Sequence, residues 1–88
     1  MLTLPDELTH DQATGCLARL VASLGAEGAA VQVDAAALQR FDSSALAVLL
    51  ELRRACAGLG KSMVVQGLPG GLRSLAVLYG VEALLPSA

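Results

Sequence analysis

Hydrophobic and polar residues recur along this chain at two periods, near 2 and near 3.6, and the period switches at glycine, proline and serine. "LTL" at Leu2–Leu4 alternates and Pro5 stops it, which predicts a brief edge strand. Thr9 followed by Gln12 has the form of a capping box. Behind it Ala13, Cys16, Leu17, Leu20, Val21 and Leu24 recur on one stripe, which predicts a helix with that stripe buried. Gly25 is placed to end it in a left-handed conformation. "GAEG" then supplies a turn, and "AAVQVD" reads as a strand with Val31 and Val33 on one face, closed by Asp34.

"AAALQR" is read as the connection to the next helix, because Phe41 and the polar trio Asp42, Ser43 and Ser44 interrupt it. From Ser44 to Gly58 a helical projection gathers Ala45, Val48, Leu49, Leu52, Ala55, Cys56 and Leu59 toward the core. The opposite side carries Leu46, Ala47, Leu50, Arg53, Arg54 and Ala57, so two leucines one turn apart are expected outside the core stripe. "SMVVQG" is a strand by its β-branched centre, and Pro69 suits the first turn of a last helix. That helix is expected to bury Leu72, Leu75, Ala76 and Tyr79 and to stop at Gly80, with an apolar tail held by Val81, Leu84 and Leu85.

Strand and helix thus alternate three times, which favours an α/β fold with a mostly parallel sheet of three to four strands and about three helices. One face of so small a sheet is left open or is covered by a partner. Residues 1–88 are expected to form one domain, since no linker or repeat divides them.

Composition narrows the picture. Apolar residues make up 55% of the chain, yet with one Phe, one Tyr and no Trp the core must be aliphatic and fine-grained. The net charge of −2 comes from 8 acids and 6 bases mixed along the sequence, which argues against nucleic acid as a partner. Cys16 and Cys56 are too few and too far apart for a metal knuckle and fall on apolar stripes, so both are expected as buried free thiols. The longest apolar run, Ala45–Leu50, is far short of the ~20 residues that cross a bilayer. With no basic start or cleavage site at the amino terminus, a cytoplasmic protein is expected.

Catalytic chemistry finds little support. The lone histidine, His10, falls in the first turn of a helix beside Asp11, and nothing in the sequence brings it to Ser43. No enzyme activity is expected. Asp34 and Asp42 are the only carboxylates a short loop brings close, too few for a metal, and Gly67, Gly70 and Gly71 are accounted for by turns, so no cofactor is expected. Asp42, Ser43 and Ser44 remain. An Asp or Ser before a helix ordinarily caps it, and one suffices. Three in a row leave a spare hydroxyl at a helix start, and the residues alone leave both readings open: capping, or a hydroxyl displayed for another molecule.

"FDSSALAVLLELRR" resembles the signature of STAS domains, the fold shared by sulfate-transporter tails and anti-sigma factor antagonists. In the antagonists the pattern is Asp, Ser, Ser or Thr, Gly, Leu, and a kinase phosphorylates the first hydroxyl after the Asp. Asp42 and Ser43 match, while Ala45 stands in place of the glycine. "VVQGLPGGLRSLAVLYGVEALLP" is similar to a narrower branch, the MlaB-type subunit of the ABC complex that moves phospholipids between the Gram-negative membranes. In that branch a threonine at the position of Ser43 matters for docking onto the ATPase subunit.

The resemblance therefore implies a non-enzymatic subunit bound to an ABC transporter ATPase. Association with the inner membrane would be indirect, through the transporter. The implied docking surface has Asp42, Ser43 and Ser44 at its tip, Leu46 and Leu50 as apolar anchors, and Arg53 and Arg54 as its rim. The other function it implies is an anti-sigma factor antagonist controlled by phosphorylation at Ser43. STAS proteins usually open with a two-stranded hairpin, of which only the second strand is expected here.

Overall fold

The computed structural model describes residues 1–87. Its main sheet has three parallel strands in the order β1 (Leu2–Thr3), β3 (Ala30–Asp34) and β5 (Ser62–Gln66). Val31 lies opposite Met63 and Val33 opposite both Leu2 and Val65. Each crossover carries a helix, α1 (His10–Ser23) between β1 and β3 and α2 (Ser43–Gly58) between β3 and β5. The two helices pack on each other. Alternation puts Leu2, Val31, Val33, Met63 and Val65 in the core, while Thr3, Gln32 and Ser62 point to water. One sheet face is therefore open. The tail returns beside β5, where the Val65 N–H donates to the Pro86 carbonyl at 2.9 Å and Ser87 makes a single parallel bridge.

A second, two-stranded parallel sheet escapes the sequence reading. β2 (Glu7–Leu8) pairs with β4 (Arg40–Phe41), so the segment expected as a plain connection holds a strand, and the chain has two short strands before α1. Both N–H groups of Gln39 and Arg40 donate to the Asp6 carbonyl, at 2.8 and 2.9 Å, and fix that register. Two-residue strands are too short to show a period, which is why the sequence hides them.

The buried apolar residues form one continuous cluster, with Leu4, Leu8, Leu24, Leu49, Leu52 and Leu72 fully enclosed. The capping contact at the start of α1 is present: Gln12 Oε1 accepts the Thr9 N–H at 2.8 Å and the Thr9 hydroxyl at 2.7 Å. α3 (Gly70–Leu78) ends as expected, with Gly80 at φ 70° and the Val81 N–H reaching back to the Ala76 carbonyl at 2.9 Å. Gly25 does not end α1 in this way. The chain continues through a 3-10 turn at Leu24–Ala26 with no positive φ.

Five apolar positions depart from expectation. Val21, Leu59, Tyr79 and, in the tail, Leu84 are exposed. Leu84 closes a single 3-10 turn, and the next residue, Leu85, is the one that enters the core. Val21 lies at the margin of its stripe, and Leu59 and Tyr79 occupy helix C-caps, where the chain has begun to turn away. Leu46 is buried, at 3% exposure, against the expectation that it lies outside the core. A helix with neighbours on more than one side buries more than one stripe, and α2 packs against α1, β5 and α3.

Candidate functional site at the start of the second helix

β4 delivers the chain to Asp42, whose extended backbone (φ −129°, ψ −167°) makes it the N-cap of α2. Asp42 Oδ1 accepts the Ser44 N–H at 2.8 Å, and Oδ2 accepts the His10 N–H, at the start of α1, at 3.1 Å. The Ser44 N–H foremost, and the His10 N–H with it, hold the Asp42 carboxyl below the usual carboxylate range, against an opposing effect of desolvation. Capping is thus carried by Asp42, which is absorbed in holding the two helix starts.

Ser43 is left over. It is the first residue of α2, exposed, and its hydroxyl makes no hydrogen bond among the described residues, whereas Ser44 is half-buried. The His10 backbone meets Asp42, and no hydrogen bond joins the imidazole to Ser43. Asp34 is spent on its own turn, where Oδ1 accepts the Ala36 N–H at 2.9 Å. Among the described residues no group of three or more His, Cys, Asp or Glu side chains is placed to hold a metal ion.

The leucine anchors expected beside Ser43 change character. Leu46 belongs to the core, and Leu50 is half-buried and packed against it, so neither is a free side chain awaiting a partner. Arg53 and Arg54 are exposed as expected. Exposed positions from Ser43 run through Ala47 to Glu51 and Arg54, steps of one turn along a single face. Beside that face lies a shallow groove of about 130 Å3 between α1 and α2, lined by Ala13, Thr14, Leu17, Ala47, Val48 and Glu51. Small side chains at Ala13, Thr14 and Ala47 let another backbone or side chain approach closely. The sequence carried part of that signal, in Ala47 on the outward side of the second helix, but it put Ala13 on a buried stripe and did not show the side-by-side placement of the helices. A second cleft, of about 220 Å3, lies where Arg53 and Ala57 of α2 meet Met63 of β5 and Pro86 of the tail.

Cys16 and Cys56 are buried free thiols. Burial pushes both thiols up from their ordinary range, opposed by Arg19 beside Cys16 and by Lys61 beside Cys56. Neither has the character of a reactive thiolate. No helix among the described residues is long and apolar enough to cross a membrane.

A family model described as "Mlab, STAS domain" matches residues 1–86, nearly the whole chain. No curated protein matches it.

Proposed function

The chain belongs to the STAS-domain family, and from that premise we propose that it is a non-enzymatic subunit of a phospholipid-transport ABC complex that maintains outer-membrane lipid asymmetry. It docks on the cytoplasmic ATPase subunit and stabilises or activates it. It thereby sits at the inner membrane through the transporter. One observation supports this reading: at the tip of α2, Ser43 presents a hydroxyl that no described residue engages while Asp42 beside it does the capping. The docking face runs from Ser43 through Ala47 to Arg54, with Arg53 at its edge and the groove between α1 and α2 alongside. Small residues at its centre and arginines at its rim suit an interface that excludes water at the middle and stays wet at the edge.

The test is capture of the tagged protein from native cytoplasmic and membrane fractions, beside a Ser43→Asp variant whose fold is checked by circular dichroism. An ABC ATPase with its permease, held by the unaltered chain and lost in the variant, is the expected result. Captured material that contains neither the ATPase nor the permease overturns the reading. The exposed Ser43 hydroxyl also favours a second reading, an anti-sigma factor antagonist switched by phosphorylation. Its mark would be a sigma-regulating kinase in the captured material and phosphate on Ser43 by mass spectrometry.

A further inference from the structure

The pairing of β2 with β4 brings the starts of α1 and α2 into register. Leu8 lies opposite Phe41, so the next residues along the two parallel strands, Thr9 and Asp42, are the two N-caps side by side. Thr9 has its own local partner in Gln12, and Gln12 Nε2 in turn donates to Glu7 at 2.9 Å. The His10 N–H, which points out of the first turn of α1, has no acceptor within its own helix. It finds one 32 residues away in Asp42 Oδ2, at 3.1 Å, while Oδ1 of the same carboxylate takes the Ser44 N–H at 2.8 Å.

We infer that Asp42 is a positioning residue: one carboxylate fastens the first turn of α1 to the first turn of α2 and so sets where Ser43 stands relative to α1. A residue that served only to cap α2 would need one oxygen and one N–H. The second oxygen, spent on the other helix, joins the two sides of the groove at its Ser43 end. Asp42 then acts on the docking face through Ser43 and α1, not by touching a partner. That consequence for docking rests on the function proposed above; the link between the helices does not.

The experiment is an acid titration of the isolated, isotopically labelled chain followed by nuclear magnetic resonance. The amide signals of His10 and Ser44 are expected to shift together, with one midpoint, as Asp42 takes up its proton. In Asp42→Asn both shifts disappear. His10→Ala removes the imidazole that acts on Asp42 but keeps the backbone donor, so both amides still respond. His10→Pro removes only that donor's N–H besides the ring, at a position where proline suits a helix start; the Ser44 response survives it and the Ser43 signal moves. A His10 amide that stays fixed while Ser44 titrates would overturn the inference, leaving Asp42 as a cap for α2 alone. Should Asp42→Asn fail to fold, the unaltered chain and the two His10 variants still decide the matter. No partner is present in these measurements, so failure of the transporter reading in the capture experiment and failure of this link are separate outcomes.

Discussion

Asp42 carries a pH dependence whose sign follows from its contacts. Its folded-state carboxyl lies below its unfolded value because the Ser44 and His10 N–H groups favour the charged form. The stability it contributes is therefore present above the ordinary aspartate range, about 3.9, and is lost as pH falls through the depressed folded value. Urea midpoints measured across that window should drop more steeply for the unaltered chain than for Asp42→Asn. The two thiols work in the opposite direction. Their folded pKa values are raised by burial, so the unfolded chain ionises first and stability declines as pH rises past about 8.5. Gly67 is a third point where one residue decides. Its φ is 70°, and a β-carbon there would lie 2.9 Å from the Ala36 β-carbon. Gly67→Ala should cost about 1–3 kcal/mol in chemical denaturation, since a left-handed backbone and a clash with Ala36 are imposed together.

At the scale of elements, α2 is the helix around which the others assemble, and its positions separate by what they touch. Leu49 is fully enclosed, and Leu49→Ala should lower stability by about 2–5 kcal/mol, read from urea unfolding. Ala47 is exposed on the face proposed for docking, so Ala47→Glu should leave stability within about 0.5 kcal/mol while, on that proposal, abolishing capture of the ATPase. Capture that survives Ala47→Glu would move the docking face elsewhere. Leu46→Glu and Leu50→Glu would not serve, because Leu46 is core and Leu50 packs against it. Here lies the boundary of what the sequence discloses. Val31 and Val33, the capping pair Thr9 and Gln12, and the core of α2 were legible because each is specified by neighbours within one or two turns. Leu46 was not, because a helical projection assumes one buried side, and α2 has neighbours in three elements. The strands β2 and β4 were not, because each becomes a strand only by meeting the other. Asp42 and Ser43 could be singled out in the sequence, but the division of labour between them depends on His10, 32 residues from Asp42.

The whole molecule has one continuous core to which α1, α2, α3 and the main sheet all contribute, including Leu85 from the tail. A chain so built has little means of melting in parts. Far-ultraviolet circular dichroism and pulse labelling of Cys16 and Cys56 should therefore report a single urea midpoint, and labelling at well-separated concentrations would show that α1 and α2 part before the rest. The exposed apolar side chains are less evenly spread. Val77, Leu78, Tyr79 and Leu84 all fall between the end of α3 and the tail. The main sheet, by contrast, turns an open and largely polar face to water, with Thr3, Gln32 and Ser62 on it. Since its other face lies under two helices, tolerance to substitution along β3 and β5 should be written in alternate letters. A saturation library screened for folding would admit a broad alphabet at Gln32 and Ser62 and a narrow aliphatic one at Val31, Val33, Met63 and Val65. Descendants of this chain would then drift at every second residue of these strands and hold still at those between.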